Sequence, residues 1–240
     1  MYTKLKLLIE QSENIVFFGG AGVSTQSGIP DFRSVDGLYA EKFDYPPETI
    51  LSYSFFIHQP EEFFKFYKNK MLFPDAVPNI AHIALAYLEK IGKLKAVITQ
   101  NIDGLHQAAG SKNVYELHGS VKRNYCMQCG KFFTLLEIQN SPIVPHCACG
   151  GMIKPDVVLY EEPLKNEVMR LAVSAIREAD LLIVGGTSLN VYPAAGMIDY
   201  YQGKALVLIN QTPTRADSRA DLIIREPIGD VFENMFPHLS

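Results

Sequence analysis

Three groups of residues in this chain have types and spacings that could do chemistry. The first is Cys126, Cys129, Cys147 and Cys149, which are all the cysteines in 240 residues. They fall in two tight pairs, CMQC and CAC. Four thiolates satisfy tetrahedral zinc, and CxxC followed by a distant second pair is a zinc-knuckle layout. Cysteine fills every ligand place and leaves none for water, so the ion expected is structural. One residue rather than two separates the second pair, and His146 beside Cys147 is a rival ligand. The second group is Gly19-Gly20-Ala21-Gly22 after the apolar run Ile15–Phe18. Glycine lets backbone approach a ligand closely. Val23-Ser24-Thr25 is expected to follow as the first turn of a helix, whose free N–H groups favour an anion. Strand, glycine turn and helix start together form a dinucleotide phosphate site. A plain tight turn has much the same composition. Thr25 stands where a third glycine belongs, and no acid follows on a second strand end for the adenosine ribose.

The third group is Gln100-Asn101-Ile102-Asp103 with His118. Histidine is the natural general base near neutral pH. His118 ends an expected strand and precedes a glycine that leaves room. Of the other histidines, His58 and His238 are expected to be solvated. His82 reads as structural inside a helix, and His106 as a residue holding the loop after Asp103. Ahead of these, Gly28-Ile29-Pro30-Asp31-Phe32-Arg33 stops any helix at the proline and presents an acid, an aromatic and an arginine in succession.

The elements that must position these groups alternate. An amphipathic N-terminal helix carries Leu5, Leu8 and Ile9. Asn79 caps a helix with Ile80, Ile83, Ala84, Tyr87, Leu88 and Ile91 at helical spacing, ended by Gly92. Strands are expected at 95–99, 114–117, 181–184, 205–209 and 221–224, with an extended piece beginning at Val157. Helices are expected at 163–179, after Pro193 and after Gly229. Strand–helix alternation predicts an α/β fold with a mostly parallel, doubly wound sheet. Ligands then sit at the strands' C-terminal ends, where the third group lies. Two insertions interrupt it. One is a helical, aromatic-rich piece with Phe55, Phe56, Phe63, Phe64, Phe66 and Tyr67, fit for a small core or for lining an apolar channel. The other carries the cysteines.

Composition narrows the function classes. At 48% hydrophobic and 20% charged residues the chain suits a soluble globular protein with a sizeable core. A net charge of −4 advertises no basic face for nucleic acid. No apolar run approaches a membrane span. The N-terminal residues show no secretory cleavage pattern, so a cytoplasmic location is expected, where structural disulfides are not.

Taken in order, the motifs Gly20 to Arg33, Thr99 to Asp103, Leu117 to Gly119, Cys126 to Cys149, Gly186 to Leu189 and Asn210 closely resemble those of the sirtuins, the NAD-dependent protein-lysine deacylases, in a bacterial-type catalytic core. The resemblance spans the chain. It implies a Rossmann-like NAD-binding domain (1–34, 76–120 and 155–240) and a small domain made of a helical module (35–75) and a zinc module (121–154). It also implies NAD as a consumed co-substrate and acyl-lysine peptides or proteins as partners. By match, Ala21, Thr25, Phe32 and Arg33 contact NAD. Gln100 holds the nicotinamide-side ribose, and Ile102 and Asp103 hold the carboxamide. Thr187, Ser188, Asn210 and Ile228 hold the adenosine half, and Asn101 and His118 are catalytic. The acyl oxygen would attack the ribose carbon as nicotinamide leaves. His118 would then activate a ribose hydroxyl, which attacks the imidate so formed, and water would finish the reaction, giving lysine, nicotinamide and O-acetyl-ADP-ribose.

Two departures from the family pattern stand out. Tyr160-Glu161-Glu162 replaces FGE, losing a glycine in a loop that pairs with peptide backbone. Tyr67-Lys68-Asn69-Lys70 carries lysine where members preferring acidic acyl groups have arginine, and an ammonium lacks arginine's two-point fork. Two other functions use the same motifs: transfer of ADP-ribose to a protein side chain, and NAD sensing by a zinc-containing binding module. Oligomeric state and protein substrates are not legible in the sequence.

Overall fold

The structure is a computed structural model that describes residues 2–31, Gly37 and 43–239. Its main sheet is built from runs too apolar to face water. β1 (Ile15–Gly19), β7 (Leu181–Gly185) and β8 (Ala205–Ile209) are buried at every position. A strand buried on both faces belongs inside a parallel sheet. With β2 (Leu94–Thr99), β3 (Val114–Glu116) and β9 (Leu222–Ile224) they form six strands in the order β3-β2-β1-β7-β8-β9. Every pairing is parallel. The order reverses beside β1, which is where a doubly wound sheet opens a crevice.

Helices cover both faces. α1 (Tyr2–Gln11) leads into the sheet, and the helical insertion follows as α2 (Pro47–Ile50), α3 (Tyr53–His58) and α4 (Pro60–Lys70). α5 (Ile80–Lys90) and α6 (Leu105–Ala108) flank β2. α7 (Leu135–Gln139) sits among the cysteines, α8 (Asn166–Glu178) precedes β7, and α9 (Ile228–Met235) closes the fold. One face packs Leu5, Phe17, Leu85, Leu88, Val207 and Phe232. The other packs Phe18, Ile98, Ala172, Ile176, Leu182 and Leu208.

Several expected elements differ in detail. Asn79 does cap α5, accepting from Ala81 N–H at 2.9 Å. Its buried face is Ala81, Ala84, Leu85 and Leu88, while Ile83 and Ile91 are exposed. The buried His82 in the first turn rotates the stripe by one residue. The segment after Pro193 forms a 3₁₀ helix, Ala194–Tyr200, rather than an α-helix. Val157 ends an extended piece instead of starting one: β6 (Ile153–Val157) pairs antiparallel with β4 (Gly119–Cys126). β4 also pairs with β5 (Phe132–Thr134), so the cysteines ride on a separate three-stranded sheet.

The aromatic insertion forms a core of its own. Phe55, Phe56, Phe63, Phe64, Phe66 and Tyr67 are all buried, joined by Val121, Val157 and Leu159. Phe56, Phe63 and Phe64 meet edge to face at 5.0–5.9 Å, a geometry contributing about 0.5–1.5 kcal/mol per pair beyond area burial. Lys68 on α4 reaches across to the cysteine segment. Its Nζ donates to Ser141 O at 3.0 Å and to Pro142 O at 2.8 Å. Among the described residues no helix is long and apolar enough to cross a membrane.

Candidate active site

The crevice is a cavity of about 710 Å³ at the C-terminal ends of β1, β2, β7 and β8. Its wall brings together Ala21, Thr25, Gln100, Asn101, Ile102, Asp103, His118, Thr187, Ser188, Asn210 and Ile228, drawn from segments up to two hundred residues apart. Phe32 and Arg33 lie outside the described residues.

The glycine loop is not the start of an α-helix. It makes two 3₁₀ turns, Ala21–Val23 and Thr25–Ser27, because Val23 and Ser24 N–H bond three residues back, to Gly20 and Ala21 carbonyls at 3.0 Å. Gly28, with φ +82°, then turns the chain before Pro30. The loop's glycines meet the β7 loop rather than open space. Gly22 N–H donates to Gly186 O at 2.8 Å, and a Cβ on Gly22 would lie 2.9 Å from Gly186 Cα. The two crossover loops are thus held in backbone contact across the floor of the cavity.

Around this floor the polar side chains form one network. Gln100 Nε2 donates to Thr187 Oγ1 at 3.0 Å. Ser24, which is buried, donates from Oγ to Asp103 Oδ2 at 2.7 Å and accepts from Asn101 Nδ2 at 3.0 Å. His82 Nε2 lies 3.4 Å from the same hydroxyl. Its Nδ1 accepts from the Asn79 N–H at 3.3 Å, which places the His82 proton on Nε2. Burial pushes His82 down to about 4, against an opposing pull from Asp103, so the ring is neutral. His82 therefore belongs to the site's polar network and is more than a helix-packing residue. His106 packs edge-on against it with ring centroids 4.7 Å apart and is itself buried. His58, His146 and His238 are exposed.

His118 sits where β3 hands over to β4. Its Nδ1 lies 2.9 Å from Gln100 O. A carbonyl can only accept, so Nδ1 carries the proton and Nε2 keeps its lone pair. Burial lowers the His118 pKa, partly offset by that hydrogen bond, which keeps the ring unprotonated near neutral pH. Such a nitrogen can take a proton from a hydroxyl in the cavity. Gly119 makes the handover possible: at φ +76° its absent Cβ would stand 1.8 Å from Asp156 O.

Sequence reading missed Ser24 and His82 as members of the network and found no acid for a ribose. Glu226, one turn beyond β9, stands on the cavity wall and accepts from the Tyr2 hydroxyl. The apolar side of the cavity is lined by Leu51, Met71, Phe73, Val121, Val157 and Leu159. The six aromatics of α3 and α4 turn into their own core instead, so the channel reading of them is not the one realised.

About the cysteines, all four Sγ atoms lie within 4.8 Å of one another. Cys126 and Cys149 are 3.5 Å apart, and Cys129 and Cys147 3.7 Å. Four sulfurs at about 2.3 Å from a zinc ion stand about 3.8 Å apart at the corners of a tetrahedron. The CAC spacing therefore accommodates the metal. His146 is not in the group; its Nδ1 pairs with Val144 O at 3.1 Å.

A model of the Sir2 family matches residues 20–193. The chain belongs to the Sir2 family. An NAD-dependent protein deacetylase of Clostridium perfringens is 63% identical over 232 residues, covering 95% of each chain. Among solved structures, a Sir2 complex with a p53 peptide and NAD⁺ has a TM-score of 0.87 at 39% identity, covering 99% of this chain and 98% of that one. A Sir2 variant with a deacetylated p53 peptide and 3′-O-acetyl ADP-ribose has a TM-score of 0.89 at 38% identity, covering 98% and 97%. These Sir2-family matches reach across both the parallel sheet and the cysteine-bearing sheet.

Proposed function

We propose that the protein is an NAD-dependent protein-lysine deacetylase that consumes NAD and yields nicotinamide, O-acetyl-ADP-ribose and free lysine. The observation that carries this reading is His118, with Nδ1 committed to a backbone carbonyl and Nε2 turned to a cavity that also holds the glycine loop. A dehydrogenase of similar fold needs a hydride path. A base that waits for a ribose hydroxyl is what acyl transfer to ADP-ribose requires.

In this reading Ala21, Thr25, Phe32 and Arg33 contact NAD, the glycine loop lying against its pyrophosphate. Thr187, Ser188, Asn210 and Ile228 hold the adenosine half. Gln100 orients the nicotinamide-side ribose, while Ile102 and Asp103 receive the carboxamide. Asn101, fixed through Ser24 to Asp103, positions ribose or water. The acyl-lysine enters along Leu51, Met71, Phe73, Val157 and Leu159, whose apolar surface keeps water from the reacting amide. His118 removes the hydroxyl proton. Cys126, Cys129, Cys147 and Cys149 would hold one structural zinc ion, which supplies no chemistry to the cavity and fixes the small sheet. NAD binding is assigned to 1–34, 76–120 and 155–240, the helical module to 35–75 and the zinc module to 121–154. A cytoplasmic location accords with four thiols grouped for a metal instead of paired as disulfides.

Mass spectrometry of an acetyl-lysine peptide tests the reading. Loss of acetyl that depends on NAD, with O-acetyl-ADP-ribose formed in equal amount, supports it. A peptide that gains the mass of ADP-ribose identifies a transferase, and no change in either leaves a sensor of NAD.

A further inference from the structure

Glu161 has a backbone that its side chain does not favour. Its φ is +76°, one of only two positive values outside glycine among the described residues. Cβ sterics make that region costly for an ordinary L-residue. The same residue makes two contacts with one neighbour: its carboxylate accepts from Ser54 N–H at 2.8 Å and from the Ser54 hydroxyl. Ser54 lies in the first turn of α3, 107 positions earlier in the chain. Those donors hold the Glu161 carboxyl below the usual range, so the tie is charged at neutral pH.

The strip just before Glu161 joins the base to the helical insertion. At one end Val158 N–H donates to His118 O at 3.0 Å. At the other, Tyr160 N–H donates to Leu51 O at 3.0 Å and Tyr53 N–H to Tyr160 O at 3.0 Å, with a parallel bridge between Ser52 and Tyr160. Tyr160, Glu161 and Leu51 all line the cavity. This run of chain is thus bonded to His118 at one end and to the helical insertion at the other.

We propose that the Ser54–Glu161 pair is a positioning latch for peptide entry, in which the carboxylate holds Glu161 in a left-handed conformation and so fixes the Val158–Tyr160 strip. The inference rests on the deacetylase reading given above. The latch acts on the peptide and not on NAD, because it holds the strip that bonds to Leu51 and Tyr53 of the helical insertion, whose Leu51 lines the apolar wall. Its signature is an order of variants that no simple side-chain contact produces. Glycine adopts φ +76° without help, so E161G keeps the strip in place. Alanine neither tolerates the conformation nor makes the tie, so E161A does not.

Initial rates with an acetyl-lysine peptide decide it. E161A is expected to raise the peptide KM about tenfold, equal to about 1.4 kcal/mol, with the NAD KM within about twofold of the parent; S54A, which keeps the N–H half of the tie, shows a smaller rise in the same direction. E161G stays near the parent, and S54A/E161G behaves like E161G because the glycine makes Ser54 dispensable. Hydrogen exchange gives a readout independent of turnover: the Tyr53 and Tyr160 amides lose protection in E161A and keep it in E161G. Equal damage from E161G and E161A would overturn the proposal, since a charge contact with the peptide would then suffice. An E161A variant with unchanged peptide KM and unchanged protection would overturn it as well. Should the parent show no NAD-dependent deacetylation, the functional reading fails, and the exchange data still decide the latch.

Discussion

Replacing Gly119 with alanine isolates the geometry that holds the base. At φ +76° a Cβ there would meet Asp156 O at 1.8 Å, where real Cβ contacts essentially never fall below 3.0 Å. The backbone must therefore open by more than an ångström. Asp156 is the β6 partner of Ser120, and Gly119 pairs with Val157, so the displacement falls on the residues that follow His118. Displacing a catalytic group by about 1 Å costs on the order of 10²-fold in rate. The left-handed backbone adds about 1–2 kcal/mol for any residue with a Cβ. Gly92 supplies the control: its φ is +82° and nothing lies within 4 Å of an added Cβ. G92A should incur only the conformational cost, lowering Tm by roughly 2–8 °C with kcat/KM intact. G119A should lose at least about 10²-fold in kcat/KM while NAD still binds by calorimetry. A G119A variant that melts like G92A and keeps more than half of the parental kcat/KM would refute the claim that this glycine places the base.

Five further outcomes are expected. H118A should lose about 10²–10⁴-fold in kcat with far smaller changes in binding. In the parent, kcat/KM should fall only on the acid side, through a limb below the ordinary histidine value of 6.5, because burial lowers the His118 pKa and the base works unprotonated; a limb above 6.5 would contradict this. Folded His82 resists protonation down to about 4 while the unfolded chain takes up its proton near 6.5, so stability should fall as pH drops between those values, and H82Q should flatten that slope in pH-dependent urea melts. C126S or C147S should release about one zinc per chain by elemental analysis and destabilise the protein; a fully stable parent without metal would refute the zinc assignment. Acetyl peptides should be favoured over succinyl peptides by at least roughly tenfold in kcat/KM: the Tyr67 hydroxyl is buried away from the cavity, and Lys70 on the wall lacks arginine's fork. A preference for succinyl would overturn that expectation, and K70R should narrow the gap.

Strands were the most legible part of the sequence. Runs such as Leu181–Val184 and Ala205–Ile209 are apolar at every position, short and rich in β-branched residues, which suits a parallel strand covered on both faces. The cysteines were legible because ligand chemistry constrains both residue type and spacing. What stayed hidden depended on partners distant in sequence. Ser24 looks like any turn serine until β1 and β2 lie side by side and set it between Asn101 and Asp103. His82 shares a helix with apolar neighbours, so periodicity placed it in the core and gave no sign of its contact with Ser24. Glu226 comes two hundred residues after the glycine loop, just past β9 at the far edge of the sheet, so nothing local in the sequence marks it as part of the cavity wall. The loop after Gly22 resembles a helix start in composition and makes 3₁₀ turns, since Gly28 and Pro30 leave too little chain for an α-helix to propagate.

Lys68 ties two chain excursions that are seventy residues apart in sequence. Its ammonium is shared among acceptors at Ser141 and Pro142, in the stretch between the two cysteine pairs. On its own side, α4 continues to Lys70 and then to Met71 and Phe73 at the cavity wall. A metal that never touches the substrate thus has a mechanical route to it. Slackening of the cysteine cluster would loosen Lys68's hold on the 141–142 carbonyls and with it the end of α4 beside the wall against which an acyl chain would lie. Chelation should therefore weaken hold on the acyl group before it weakens hold on the dinucleotide, with the protein losing its grip from one side only.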